Sequence, residues 1–274
     1  MELIKTLKTT LEIKFPLQDG SFLVRGIDPG SFNFPVRYAM NRLITGHNAD
    51  FMQEDKFVEA SRLARQTLNI SPQSLPNSDP RSWNTYVCCW AASHAKNLPG
   101  DFVECGVNTG MYSIAVIHYI DFNRTGKTFF LCDTFTGIPE EQVTPEEAEF
   151  YKNISADVVK RHNSENYTRD IYEDVKEQFK DYNVKLIRGK VPDTLSLVDA
   201  EKICYLSIDM NIVAPEIAAA EYFWDKIVPG GVIVLDDYGW SWHLPQKKAF
   251  DKFAENRSVK VLPLPTGQGL IFKQ

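Results

Sequence analysis

With 274 residues, 43% of them hydrophobic and 24% charged, the chain suits one large soluble α/β domain, or one domain with a substantial extension. A net charge of −6 leaves no basic footprint for nucleic acid or an anionic membrane, and no apolar run nears the roughly 20 residues that span a bilayer. The start, Met1-Glu2-Leu3-Ile4-Lys5-Thr6, lacks the charged-then-apolar layout of a signal peptide. Cys88, Cys89, Cys105, Cys132 and Cys204 are odd in number and without C-x-x-C spacing, so they read as buried reduced thiols and the setting as cytoplasmic.

Residues 1–80 are an N-terminal extension of mixed pattern. Residues 3–15 could form strand or helix, while Asp19-Gly20 and Asp28-Pro29-Gly30 mark turns. Residues 37–45 and 55–68 are expected to be helical, the second with Phe57, Ala60, Leu63, Ala64 and Leu68 on one stripe. A Ser/Pro/Asn-rich stretch at 71–80 is the best linker, and residues 82–95 read as a helix carrying Trp83, Tyr86, Val87, Trp90 and Ala91. Lid, dimer arm and substrate-binding segment are all compatible with 1–80, so a homodimer is allowed.

From Asp101 onward the pattern is regular. Strands are expected at 102–105, 128–132, 184–188, 203–208, 232–235, 259–262 and 270–272, with helices at 112–119, 171–181, 214–227 and 246–255. Such alternation predicts a doubly wound, mostly parallel α/β sheet. Only Pro263-Leu264-Pro265-Thr266-Gly267-Gln268-Gly269 joins the last two strands, too short for a parallel crossover, so that pair should be antiparallel. Residues 81–274 are taken as the main domain. Within it, the acidic clusters at Glu140-Glu141 and Glu146-Glu147 look like solvated helix starts.

The chemistry gathers around Asp101-Phe102-Val103-Glu104-Cys105-Gly106-Val107-Asn108-Thr109-Gly110, read as strand, tight glycine turn and helix. Gly106 would let a ligand approach the backbone, and Gly110 would keep the incoming helix near the strand. The spacing Glu-x-Gly-x-x-x-Gly is not the G-x-G-x-x-G of NAD- or FAD-binding proteins. Asp133 ends the next strand and is placed to accept from a ribose diol; its alternative is a turn cap, since Thr134 follows it. Glu104 could meet a cofactor ammonium, organise the loop, or be an ordinary exposed strand-end carboxylate. Asp209 ends the fourth strand, and Asp236 and Asp237 end the fifth. Carboxylates converging there repel one another unless something positive lies between them, and an oxygen-only set suits Mg²⁺ or another hard divalent cation. The alternative has one Asp capping a helix and the others solvated. His243, in the aromatic loop after the fifth strand, is a lone candidate acid or base; His47, His94, His118 and His162 have no supporting context.

Six blocks in order resemble the macrocin O-methyltransferase family of S-adenosylmethionine-dependent sugar O-methyltransferases. They are Gly100-Asp101-Phe102-Val103-Glu104-Cys105-Gly106-Val107, Cys132-Asp133-Thr134-Phe135-Thr136-Gly137-Ile138-Pro139, the segment from Leu186 to Leu195, Ser207-Ile208-Asp209, Pro229-Gly230-Gly231 and Asp236-Asp237-Tyr238-Gly239. A sheet closed by an antiparallel C-terminal hairpin is also what Rossmann-like class I methyltransferases have. The resemblance, over about residues 83–273, implies an S-adenosylmethionine cofactor and a divalent metal. It implies that Glu104, Gly106 and Ser113 line the methionine end, that Asp133 holds the ribose and that the Gly189 region lies near the adenine, with Gly110 and Thr134 also among the cofactor-binding residues. It makes Asp209, Asp236 and Asp237 the metal ligands, with Asp209 also touching cofactor and serving as general base. One block departs: the family's Asp-Gly-Asp-Leu-Tyr-Glu-Ser-Thr is here Asp209-Met210-Asn211-Ile212-Val213-Ala214-Pro215-Glu216. Asn211 cannot act as a base, although its carbonyl can orient a ligand.

The expected activity is methyl transfer to a sugar hydroxyl of a glycan, nucleotide sugar or glycosylated natural product. The 135–167 insertion and the N-terminal segment are long enough to cover the site. A methyltransferase acting on a catechol or other phenol shares the same logic, and a non-catalytic cofactor-binding scaffold is the third reading, prompted by Met210-Asn211.

Overall fold

A computed structural model describes residues 11–16, 22–27, 37–40, 43–71, 80–154, 158–167 and 169–274. Two small antiparallel pairs come first, β1 (Leu11–Pro16) with β2 (Phe22–Ile27) and β3 (Tyr38–Met40) with β4 (Leu43–Thr45). Then follow α1 (Asp55–Gln66), α2 (Trp83–Ala95), β5 (Asp101–Cys105), α3 (Met111–Ile120) and β6 (Phe129–Asp133). An insertion carries α4 (Pro145–Asn153) and α5 (Val158–Asn166); α6 (Tyr172–Phe179), β7 (Val184–Arg188), β8 (Ile203–Ile208) and α7 (Val213–Phe223) come next. The chain ends with β9 (Ile227–Leu235), α8 (Leu244–Glu255), β10 (Leu262–Pro263) and β11 (Gly269–Phe272).

Seven strands form one sheet in the order β10-β11-β9-β8-β5-β6-β7. β7, β6, β5, β8 and β9 are mutually parallel, while β11 runs antiparallel to both β9 and β10. The expected mostly parallel sheet with an antiparallel C-terminal pair is thus what the chain forms. β5, β6 and β8 are buried almost throughout, which accounts for their continuous apolar runs. Alternate residues feed two cores. Phe102, Phe129, Leu131, Tyr205 and Val232 pack with α1, α2, α3 and α6, whereas Val103, Phe130, Leu206, Ile233 and Ile271 pack with α7 and α8. Because Glu104 shares the Phe102 face, its side chain points at α3. All five cysteines are free and buried. Among the described residues no helix is long and apolar enough to cross a membrane.

Several expected boundaries move. The helix predicted over 37–45 is instead the β3–β4 pair, closed by Arg37 N–H donating to Thr45 O at 2.9 Å. Nine residues make a poor isolated helix, and tertiary aromatic packing wins: Tyr38 is buried, lies 5.3 Å from the Trp83 ring, and its hydroxyl accepts from Trp83 N–H at 2.9 Å. The helix predicted to reach residue 227 stops at Phe223, and β9 begins four residues on. β9 holds Pro229-Gly230-Gly231 within its length, where its register with β8 shifts between Ile203 and Tyr205. The strand expected at 259–262 shrinks to Leu262–Pro263 at the sheet edge. Of the linker at 71–80, residues 72–79 lie outside the described residues, as do 3–10 of the ambiguous first segment.

Candidate active site

Strand order reverses between β5, which continues to β6 and β7 on one side, and β8, which continues to β9 on the other. Ligands gather at the carboxyl ends of strands at such a switch point. Gly106 N–H donates to Cys132 O at 2.9 Å and Asp209 N–H to Cys105 O at 2.8 Å, so the three strand ends are laced together there. At φ +91°, Gly106 is in the left-handed region, and a Cβ on it would lie 1.8 Å from the Asp209 carbonyl oxygen. Gly110 (φ +81°) starts α3, but its constraint differs from the expected one: a Cβ would strike the Phe179 ring at 2.5 Å, so it admits α6 rather than the strand.

Glu104 is only 2% exposed, which rules out the ordinary surface carboxylate. Ser113, in the first turn of α3, donates its hydroxyl to it. Burial pushes the Glu104 carboxyl up to about 8, the Ser113 bond opposes this, and the charges of Asp133 and Asp236 add to it. A positive ligand would restore its charge.

Asp133 is held by three backbone N–H groups, with the Thr134 hydroxyl 3.4 Å from its Oδ1. One oxygen accepts from Val107 N–H (2.6 Å) and Asn108 N–H (2.9 Å) of the glycine turn, the other from Phe135 N–H (2.6 Å). Burial raises its carboxyl above the usual range, and these three bonds pull it back. The turn-capping role is therefore present. Thr134 gives its hydroxyl to Gly137 O at 2.7 Å, and Gly189 N–H donates to Asp133 O at 2.9 Å.

A cleft of about 440 Å³ opens over these strand ends. Gly106, Asp133, Thr134, Gly189 and Asp209 line it; Glu104, Gly110, Ser113, Asp236, Asp237 and His243 do not. Its far wall comes from the insertion and α7, with Ile138, Gln142, His162, Tyr167 and Pro215. His162 was missed in the sequence because nothing near it in the chain marks it. Burial, with the positive neighbours His243 and Arg161, lowers its ring to about 4, so it lines the wall as a neutral group.

Of the three aspartates, Asp209 lines the cleft, and Asp236 and Asp237 stand outside its lining. Burial raises all of them; the charges of Asp236, Asp237, Glu216 and Glu104 raise Asp209 further, and Asp236 and Asp237 are both pushed up to about 7. Each has its own protein contact. Asn211 donates to Asp209 at 3.2 Å, and Gln268 donates to Asp236 at 2.9 Å, with Tyr112 also bonded to Asp236. Asp237 faces His243 Nε2 at 3.7 Å, an ion-pair distance too long for a hydrogen bond, while its Oδ2 is buried with no hydrogen-bond partner among the described residues. His243 Nδ1 lies 2.7 Å from Gln246 Nε2.

Two further buried acids went unread in the sequence. Glu147, expected in a solvated helix start, is fully buried: one oxygen accepts from Thr144 N–H (2.9 Å) and hydroxyl (2.8 Å), the other from Val213 N–H (2.8 Å). Its residue type fits a capping box, but the fold turns it inward against α7. Glu216 accepts from Met210 N–H at 3.2 Å, and burial, then the Asp237 charge, raises it well above the usual range. Hard oxygen donors, their mutual repulsion and an unpartnered Asp237 Oδ2 fit a divalent cation in chemistry. In arrangement they are not preformed: among the described residues no three His, Cys, Asp or Glu side chains converge to hold a metal.

Solved structures share this fold. The O-methyltransferase NovP superposes with a TM-score of 0.58 at 20% identity, covering 69% of this chain and 79% of its own. CalS11, a calicheamicin methyltransferase, gives 0.57 at 16% identity over 83% and 98% of the two chains. Cofactor-bound Rv0187 from MTB gives 0.51 at 14% identity over 81% and 94%. No curated protein matches the sequence. Residues 81–264, which hold the glycine turn, Asp133 and all three aspartates, match the family model of macrocin O-methyltransferase (TylF). The chain belongs to that family and is an S-adenosylmethionine-dependent O-methyltransferase.

Proposed function

We propose that the protein methylates a sugar hydroxyl of a glycan, nucleotide sugar or glycosylated natural product, with a divalent cation at Asp209, Asp236 and Asp237. The observation that carries this reading is the carboxylate group beside the cofactor turn, with Asp237 Oδ2 buried and unpartnered. When bound, S-adenosylmethionine supplies an electrophilic methyl on a sulfonium, and the cation would lower the pKa of the acceptor hydroxyl. Glu104, buried and elevated, regains its negative charge beside a cationic ligand and so favours the sulfonium form over the neutral product. Gly106 lets the turn after β5 pass against the Asp209 carbonyl while lining the cleft, and the capped loop braced by Asp133 would hold the adenosine end. Methyl transfer breaks one S–C bond and forms one C–O bond; the S–C electron pair stays on sulfur, leaving a thioether. The hydroxyl proton would go to Asp209 on the cleft wall, whose raised carboxyl needs the charge of a bound cation to be ionised and so able to accept it. His162 and Tyr167 close the wall and exclude water.

Calorimetric titration of S-adenosylmethionine and S-adenosylhomocysteine, with and without Mg²⁺, tests the first half. Turnover on nucleotide-linked sugars, free sugars and simple catechols tests the second. Micromolar binding of both cofactor forms with metal-dependent sugar turnover is expected. Turnover restricted to catechols would overturn the sugar acceptor, and turnover indifferent to Mg²⁺ would overturn the cation.

A further inference from the structure

The turn between β10 and β11 lies directly against the loop that follows β9. Gly239 N–H donates to Gly267 O at 2.6 Å. A Cβ on Gly239 would lie 3.1 Å from that same oxygen, and one on Gly267 would lie 2.6 Å from the Trp240 indole nitrogen. Gln268, the last residue before β11, is 0% exposed. Its amide nitrogen stands 2.9 Å from Asp236 Oδ1 and 3.3 Å from Asn84 O on α2, with Cys88 Sγ 3.8 Å away. Its carbonyl accepts from the Thr266 hydroxyl at 3.1 Å, and Asn84 Nδ2 donates to Thr266 O at 3.2 Å. The amide orientation follows from chemistry. An ionised carboxylate and a backbone carbonyl only accept, so the NH2 group faces both.

An apolar side chain of similar size would fill this space without a buried amide to satisfy. What the amide adds is direction. A carboxylate otherwise turns about its Cβ–Cγ bond, and a donor at 2.9 Å on Oδ1 stops that rotation and so sets where the second oxygen stands. Asp237, next in the chain, is in the opposite condition, its Oδ2 bonded to nothing among the described residues. One carboxylate of the adjacent pair is braced from behind and the other is open. Resting on the cation reading above, we propose that Gln268 is a positioning residue for Asp236, holding its carboxylate in the orientation that receives a divalent cation. Among the described residues no three acidic, His or Cys side chains converge to hold an ion, so a cation has to gather its ligands. A carboxylate already fixed by an outer partner spares part of that ordering. The antiparallel C-terminal hairpin thereby serves the reacting end of the sheet through its turn, as well as closing the sheet edge.

The variant is Gln268→Met in the full chain, which keeps the volume and removes the amide. Mn²⁺, a hard divalent ion suited to the same oxygen donors, is titrated into the S-adenosylhomocysteine-saturated protein and read by electron paramagnetic resonance. Melting in EDTA and S-adenosylhomocysteine affinity are measured alongside. The control is Asn84→Ala, which unties the same turn from α2 but leaves the bond from Gln268 to Asp236 in place. The expected result is a Mn²⁺ dissociation constant raised about tenfold in Gln268→Met, with S-adenosylhomocysteine affinity within about twofold of wild type. Asn84→Ala should melt lower and bind Mn²⁺ within about twofold of wild type. Equal Mn²⁺ affinity in wild type and Gln268→Met would overturn the proposal. Equal losses in the two variants would overturn it too, because the packing of the turn would then be at work and not the amide. A wild type that binds S-adenosylhomocysteine but no Mn²⁺ would remove the cation reading itself, and the proposal with it. If Gln268→Met does not melt cooperatively, Gln268→Asn, whose amide is drawn back by one methylene, takes its place with the same expectation.

Discussion

Glu104 shows how one buried atom sets a pH dependence. Its carboxyl stands near 8 in the fold against an ordinary 4.5, so the folded state prefers it protonated. Its contribution to stability is therefore fully present below about pH 4.5 and is lost as pH rises through about 8. Glu104→Gln keeps the shape and removes the titration. Urea denaturation at pH 5 and pH 8.5 should show wild type losing more stability across that interval than the variant, by an amount on the order of a few kcal/mol. Equal losses would mean that Glu104 is charged in the empty protein. The same substitution should weaken S-adenosylmethionine binding more than S-adenosylhomocysteine binding, because only the former carries the sulfonium. Glu104, Gly106 and Asp133 were all legible in the sequence, since each sits at a strand end with a diagnostic neighbour. Glu147, Gln268, Glu216 and His162 were not: their meaning comes from elements brought together across the fold, and each alone looks like ordinary helix surface or turn.

Among the elements, β5, β6 and β8 could be read to within a residue, because strands of a covered parallel sheet are short continuous apolar runs between turn signals, and β7, the half-exposed edge strand, through the Val184, Leu186 and Ile187 that precede the turn at Gly189. β3 and β4 could not, being three residues each and held by aromatic contacts with α2. The helices of the insertion escaped for the opposite reason, since α4 and α5 are polar over most of their length and bury few side chains. What fastens α4 is Glu147, which closes its capping box and also binds the first N–H of α7. Glu147→Ala strands a backbone N–H at α7 and removes the box, costing roughly 2–4 kcal/mol at this junction. Limited proteolysis should then cut within residues 135–167 several-fold faster than in wild type, while S-adenosylhomocysteine slows the cut. Wild-type resistance would mean that the hydrophobic contacts of Ile138, Tyr151 and Ile212 suffice to hold the insertion.

The molecule as a whole concentrates its electrostatic cost at one end of the sheet. Asp236 and Asp237 are raised to about 7 and Asp209 is raised well above its ordinary range, so, like Glu104, they favour the folded state below their ordinary range near 3.8 and withdraw that support as pH rises through neutrality. A cation that binds only the folded, ionised form must then help more at high pH than at low. Thermal melts at pH 5.5 and pH 8 should show millimolar Mg²⁺ raising the midpoint chiefly at pH 8, with the gain lost in Asp237→Asn. Asp237→Asn should also lose activity while keeping S-adenosylhomocysteine binding; a fully active variant would remove Asp237 from the chemistry. The two ends of the site differ in how much change they can absorb. Asp133 ties the glycine turn to the loop after β6 through three backbone N–H groups. Any substitution that retunes it for a different cofactor therefore also dismantles the loop that would receive that cofactor. If Asp133 meets the ribose as proposed, the adenosine side is locked against piecemeal drift. The stretch from Met210 to Glu216 and the insertion hang together on Glu147, which joins Thr144 to Val213 N–H; while that one residue is kept, new acceptors can be acquired around it one side chain at a time, without renegotiating the half that would bind the methyl donor.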